Sequence, residues 1–401
     1  MTWRVPENRL SVRQRAVLTA VCRDIGKARY WIQGCAGSGK TLLLIHAIEQ
    51  VAIRNPKASI CFVTFTHSLK DLVRSGLSQE LGARVKVVTH TQFKSDKKKF
   101  DYVFVDEVQD ISKTDLRAIA SYAGSLQLAG DPDQSIYKGR ATESDINSLL
   151  EPRTERLLEV FRLSKLIKDI ALSILPRSLL VEGQAKSSDA NVQIRLLRFN
   201  DQDAEAAWVF EEARGNAKGG YNASAILFST HKSLMEFSKR VAKHLRLPEP
   251  PAPEMSRNFE AELAAKSTTP NPDYREYNKH WEARRVPLAY FGNGNGNLAD
   301  SEAKPMVYLM TYHSSKGLDF KSVFLPSVNA DMYCGASKKE LAEDPSIENR
   351  LMFVAVTRSR ENLYVSFTTE QLHRTLRNLP KEMVVEASPK LRKLSAEQGL
   401  F

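Results

Sequence analysis

Cysteine is scarce: Cys22, Cys35, Cys61 and Cys334 are scattered, with no C-x-x-C pair and no histidine at zinc-finger spacing beside them. Neither a disulfide framework nor a structural metal is expected from that spacing. Long apolar runs are also missing. No stretch approaches the roughly 18 consecutive apolar residues a membrane span needs, and the start MTWRVPENRL has no apolar run behind its charges. A cytoplasmic protein is expected. Acidic residues are the minority charge, 47 Asp and Glu against 58 Lys and Arg, for a formal charge of +11. Such a surplus favours polyanions such as nucleic acid, although alone it carries little weight. What is present is ordinary: 401 residues, 42% hydrophobic, enough for two or three compact domains.

Apolar spacing predicts an amphipathic helix within residues 8–24, from Leu10, Ala16, Val17, Ala20 and Val21, then a short strand Tyr30–Gln33 entering a glycine-rich turn. β-rich runs at Ile60–Phe65, Val85–Thr89, Tyr102–Val105 and Leu126–Ala129 alternate with helical stretches, the pattern of a parallel sheet. Residues 1–155 are assigned to one α/β domain. A second α/β series spans Val192–Leu197, Ser224–Phe228, the helix Lys232–Leu245, Leu288–Phe291, Met306–Thr311, Val323–Pro326, a helix around Glu348–Thr357 and Leu363–Phe367. This places a second domain in 156–245 and 286–385. Residues 246–285 are rich in Pro, Glu and Lys and read as a mobile insertion with one or two short helices at most. GNGNGN at Gly292–Asn297 reads as a turn between strands, and 386–401 as a tail.

GCAGSGKT, Gly34–Thr41, fits G-x-x-x-x-G-K-[ST] after a strand and before an apolar helix beginning at Leu42. Backbone N–H groups of Gly34, Cys35, Ala36, Gly37, Ser38 and Gly39 can close around phosphates there. Lys40 meets β and γ oxygens, and Thr41 can ligate Mg2+. The strand Tyr102–Val105 ends in DEVQD. Asp106 is placed to hold Mg2+, and Glu107 to orient and deprotonate the attacking water. Gln134, in GDPDQSIY after the next strand, can sense a γ-phosphate. Arg162 and Arg358 are candidates for charge neutralisation, both expected beyond the first domain.

In order, LSVRQ, GCAGSGKT, FVTFTHSL, VVTHTQF, VDEVQD, AGDPDQSIY, LEVFR, MTYHSSKGLDF and ENRLMFVAVTRSRENLYV resemble the successive motifs of superfamily 1A helicases of the UvrD, Rep and PcrA type. The resemblance spans Leu10 to Val365. It implies two RecA-like domains, each a parallel sheet flanked by helices, with ATP between them. It also implies 3′ to 5′ movement along single-stranded DNA, RNA remaining an alternative track. By the same resemblance Gln14 reads adenine, Phe161 stacks on it, and Gly317 and Asp319 lie near the ribose. Arg162 and Arg358 become the two γ-phosphate arginines. Thr64, Phe65, Thr89, His90 and Tyr137 line the single-strand track, with Thr311, His313 and Ser314 in the second domain. Hydroxyl and imidazole groups hold phosphates, and rings stack on any base.

Departures from the family pattern matter too. Gly139 stands where the family has a base-stacking Trp, and Leu42 where an Arg usually flanks adenine. Only KSDKKKFD separates Phe93 from the DEVQD strand, so the first accessory domain of such helicases has no room. The insertion 246–285 is too small for the second. A compact subunit that senses DNA and works with a partner such as a nuclease, as in some antiphage systems, is the alternative reading. Lys94, Lys97, Lys98 and Lys99 form a basic turn that could touch a duplex backbone.

Overall fold

The computed structural model describes residues 4–137, 139–187, 192–255, 272–292, 294–336, 338–379 and 385–386. The chain divides into two compact units, Met1–Lys168 with Leu175–Ser188, and Asp169–Ile174 with Asp189–Phe401. Both are α/β, each built on a parallel sheet.

In the first unit six parallel strands pair in the order β3-β2-β4-β5-β1-β6. They are β1 (Tyr30–Gly34), β2 (Ile60–Thr64), β3 (Val85–Thr89), β4 (Phe100–Val105), β5 (Ala123–Gly130) and β6 (Arg153–Leu157). β1 and β2 are buried along their whole length, as near-continuous apolar strands covered on both faces must be. One core packs helices α1 (Val12–Asp24) and α2 (Lys40–Arg54) on the sheet, and another lies around Trp31, Val103, Val105 and Leu116. A capping box starts α1: Ser11 Oγ accepts the Gln14 N–H at 3.2 Å, and Gln14 Oε1 accepts the Ser11 N–H at 3.0 Å.

β7 (Glu159–Ser164) and β8 (Gln184–Ser187) form a separate two-stranded ribbon that also belongs to the first unit. That unit therefore continues well past residue 155, and Arg162, expected beyond the first domain, lies inside it. The tie is direct, because the Phe161 N–H donates to Gly37 O at 3.0 Å.

The second sheet has the order β13-β14-β10-β15-β16-β9-β17. Its strands are β9 (Gln193–Arg198), β10 (Ser224–Phe228), β13 (Leu288–Tyr290), β14 (Val307–Thr311), β15 (Phe320–Leu325), β16 (Ser359–Phe367) and β17 (Val385–Glu386), while β11 (Glu254–Met255) and β12 (Pro272–Asp273) pair with each other. The Pro-rich segment differs from expectation where it is described. Its helix Arg275–Ala283 buries Tyr277 and Trp281 against the core of β10, β13 and β14. Aromatic anchors at helical spacing make this part of the insertion core, despite the prolines around it. The turn at Gly292–Asn295 is closed by the Gly292 N–H to Asn295 O at 3.1 Å and returns at 2.8 Å. It joins β13 to the short helix Asp300–Ala303, and its flanking strands are parallel, so it is not a hairpin. Residues 256–271 and 387–401 lie outside the described residues, and with them the expectations for that part of the insertion and for the tail.

Candidate functional site

Parallel strands place all their carboxyl ends on one edge, where open α/β sheets bind ligands. Along that edge stand, in sheet order, His90 after β3, Phe65 after β2, Asp106 and Glu107 after β4, Gln134 after β5, and the glycine-rich loop after β1. From β3 to β1 is four strand spacings, about 19 Å. One edge thus carries two neighbouring groups of side chains.

The loop after β1 has left-handed backbone at Gly37 (φ 76) and Gly39 (φ 91). A Cβ on Gly37 would stand 2.4 Å from Arg162 Cβ, and one on Gly39 2.6 Å from Gln14 Nε2. The buried Lys40 ammonium donates to Gly34 O at 2.7 Å and Cys35 O at 3.1 Å. Ser38 Oγ is buried and has no hydrogen-bond partner among the described residues. Ala36 is buried, as is Leu42 at the start of α2. A tight cradle with an idle hydroxyl and a cation whose hydrogen bonds go to backbone carbonyls suits a polyphosphate.

Thr41 Oγ1 donates to Asp106 Oδ2 at 2.6 Å, and the Glu107 N–H donates to Asp106 Oδ1 at 3.0 Å. Burial, then the neighbouring Glu107, pushes the Asp106 carboxyl up to about 7. A divalent cation would remove that cost, so a hydroxyl and carboxylate so paired fit Mg2+. Glu107 itself is left-handed at φ 52, uncommon for a non-glycine residue. Gln109 Nε2 donates to Glu107 Oε2, while Gln109 Oε1 accepts the Asp131 N–H at 3.1 Å. Gln134 Nε2 donates to Asp131 Oδ2 at 2.6 Å. Asp106, Glu107, Gln109, Asp131 and Gln134 therefore form one buried chain.

Gln14 faces the same loop, its Nε2 donating to Ser38 O at 2.9 Å, so in this state it braces the cradle as well as capping α1. Phe161 is 40% exposed beside the loop, an unusual position for a phenylalanine and one that leaves its face free.

In the second group the Phe65 ring stacks on His90, centroids 4.8 Å apart and 7° between planes, and tilts against Tyr137 at 4.3 Å. The Arg140 guanidinium lies 4.9 Å from the Phe65 centroid and 5.7 Å from that of Tyr137. Thr64 Oγ1 and His90 Nδ1 are buried and lack hydrogen-bond partners among the described residues. Burial holds His90 down to about 4, hence neutral near pH 7. Thr89 is committed to capping, its hydroxyl accepting the Gln92 N–H at 3.3 Å. Lys94 is paired with Asp115 at 2.6 Å rather than lying free on a basic turn.

The second unit gathers the remaining residues of the resemblance. Thr311 and Ser314 bond each other, the Thr311 N–H to Ser314 Oγ at 2.8 Å and the Ser314 N–H to Thr311 Oγ1 at 3.1 Å. Burial also holds His313 at about 4. Gly317 is left-handed at φ 83, and Asp319 pairs with Arg360 at 3.3 Å. Arg358 is 1% exposed, donating to Val354 O and Leu318 O, each at 2.9 Å.

A family model described as the UvrD-like helicase C-terminal domain matches residues 288–370, and one described as an AAA domain matches residues 17–140. The chain is similar to a probable DNA helicase II homolog of Mycoplasma capricolum, 26% identical over 155 residues. These matches liken the chain to the UvrD/PcrA-type superfamily 1 helicases. It is also similar to the ATP-dependent DNA helicase PcrA of Staphylococcus aureus, 31% identical over 94 residues. These matches cover 36% and 22% of this chain, but only 22% and 13% of the respective relatives. Among solved structures it is similar to the Arterivirus nonstructural protein 10 helicase, with TM-score 0.43 and 16% identity over 89% of this chain and 62% of that one.

Within this UvrD-like frame, sequence reasoning passed over two residues. Gln109 lies inside DEVQD, where the two-residue offset from Glu107 on a tight turn was the available signal. Arg140 follows the ring residues of IYKGRAT closely enough to reach them. No helix among the described residues is long and apolar enough to cross a membrane.

Proposed function

We propose that the chain is an ATP-driven motor on single-stranded DNA, moving 3′ to 5′. Its nucleotide site is the loop Gly34–Thr41 with Gln14, Phe161 and Arg162. Thr41 and Asp106 would hold Mg2+, which when bound neutralises phosphate charge. The observation that carries the reading is the buried chain from Thr41 through Asp106, Glu107, Gln109 and Asp131 to Gln134. In it Glu107 takes the proton of the attacking water, oriented by Gln109, and Gln134 reports the state of the γ-phosphate.

Gln134 and Tyr137 share one short segment, so a shift of the amide on phosphate loss moves a ring of the Phe65, His90 and Tyr137 cluster. That cluster suits stacked bases and Arg140 a backbone phosphate, without sequence readout. Arg358 enters through its family motif: its guanidinium is bonded within the second unit, and the proposal assigns it to stabilising the transferring phosphoryl group.

A second reading is favoured by one observation. Only Lys97, Lys98 and Lys99 lie between the helix His90–Asp96 and β4, leaving no accessory domain at that point. A DNA-stimulated ATPase that signals to a partner, such as a nuclease, would need none.

Strand displacement on a 3′-tailed duplex, beside ATPase assays with single-stranded DNA and RNA, tests both. Displacement with DNA-stimulated turnover supports the motor, and turnover without displacement the sensor. Lys40→Ala and Glu107→Gln are each expected to abolish turnover, and normal hydrolysis by Glu107→Gln would defeat either reading.

A further inference from the structure

Cys334, Glu348 and His373 meet inside the second unit from three segments: the loop after β15, the first turn of helix Ile347–Val356, and the residue preceding the short helix Arg374–Leu376. They are 0%, 6% and 3% exposed. One ligand atom from each lies within 4.8 Å of the others. Cys334 Sγ stands 3.8 Å from both ring nitrogens of His373. A tetrahedral zinc ion, with Zn–S of about 2.3 Å and Zn–N of about 2.0 Å, needs sulfur and nitrogen about 3.5 Å apart. The spacing is already close to that.

Two of the three ligands are held from behind, as metal ligands commonly are. His373 Nδ1 is engaged by the Thr375 hydroxyl at 2.9 Å and N–H at 3.4 Å, which turns Nε2 toward other partners. Glu348 Oε2 accepts from Arg374 Nε at 2.8 Å, so Oε1 is the atom available to a cation. A thiolate and a carboxylate offer two negative charges to a divalent ion, with Arg374 and Arg377 the cations within electrostatic range. The Tyr312 hydroxyl is buried without a partner among the described residues, and its phenol is pushed up by burial and then by Cys334. A polar atom is therefore idle within electrostatic range of the sulfur. A plain hydrogen-bonded trio does not account for that, since a thiol is a weak donor and acceptor.

We propose that Cys334, Glu348 and His373 form a zinc site, with water completing the tetrahedron near Tyr312. The mixed sulfur, nitrogen and oxygen set selects zinc over magnesium or calcium. On binding, the Cys334 thiol proton leaves to solvent as the sulfur–zinc bond forms. The ion would clip the loop after β15 and the turn after β16 to the helix whose far end leads to Arg358. Cysteine spacing gave no hint, because the ligands come from segments up to 39 residues apart.

The test uses the full chain, stripped with chelator and titrated with zinc against a chromophoric chelator. One equivalent is expected to bind, with affinity at least 100-fold weaker in Cys334→Ala and in His373→Ala. Asp106→Asn should keep it, separating this site from the phosphate loop. Cobalt added to stripped wild-type protein should give a thiolate-to-metal charge-transfer band, a readout that needs no variant to fold. Absence of that band, zinc binding unchanged in both ligand variants, or its loss in Asp106→Asn would overturn the proposal.

Discussion

Gly37 shows how tightly single atoms are set at the nucleotide loop. Its backbone is left-handed and a methyl group would meet Arg162 Cβ at 2.4 Å, so Gly37→Ala combines strain with displacement of β7. We expect a loss of about 1–3 kcal/mol in stability together with lost ATP turnover. Gly82, in the helix Gln79–Arg84 with nothing within 4 Å of its added Cβ, is the control, and Gly82→Ala should be neutral or stabilising by up to about 1 kcal/mol when both variants are unfolded in urea. Arg358 behaves differently. Arg358→Ala strands two buried carbonyls, which predicts about 1–3 kcal/mol of destabilisation. Steady-state kinetics should also show turnover falling more than nucleotide affinity, as for a contact made in the transition state. Equal losses in both would assign Arg358 to ground-state binding.

At the scale of elements, composition dominated by proline and charge predicts a mobile segment around Arg275–Ala283. Composition averages over a stretch in which Tyr274, Tyr277 and Trp281 alone decide the packing, with Tyr274 stacked on Tyr290 at 3.7 Å. Trp281→Ala should therefore cost about 3–5 kcal/mol, as in any large-to-small core change. A cost near zero in chemical denaturation would restore the mobile reading. β6 escaped notice for the converse reason. Its residues, Arg153 to Leu157, are mostly polar because the strand closes one edge of the sheet and buries little, so no apolar run marks it.

For the whole molecule, burial holds His67, His90, His231, His280, His313 and His373 below the ordinary histidine value, with His90, His231 and His313 at about 4. An unfolded chain takes up those protons near pH 6.5. Between about 6.5 and 4 the unfolded state thus binds more protons, and stability falls as pH falls. Asp106 and Asp131, raised by burial, act with the opposite sign in part of that window, but six histidines outweigh two carboxyls. The urea midpoint should drop from pH 7 to pH 5. His231→Gln should flatten that drop, since His231 is half-buried with only Tyr274 Oη, at 2.8 Å, on its Nδ1.

By itself the sequence determined the phosphate loop, the carboxylates Asp106 and Glu107, the alternating strands and the helicase resemblance, because each is written in contiguous residues whose spacing is the chemistry. Tertiary structure alone decided that Arg162 lies against Gly37 within the first unit and that Gln109 joins Glu107 to Asp131. It also stacked Phe65, His90 and Tyr137 on one another, and brought Cys334, Glu348 and His373 together. Those contacts join residues from different strands and loops. Distance along a chain carries no record of distance across a sheet edge, which is fixed only when the strands pair in order.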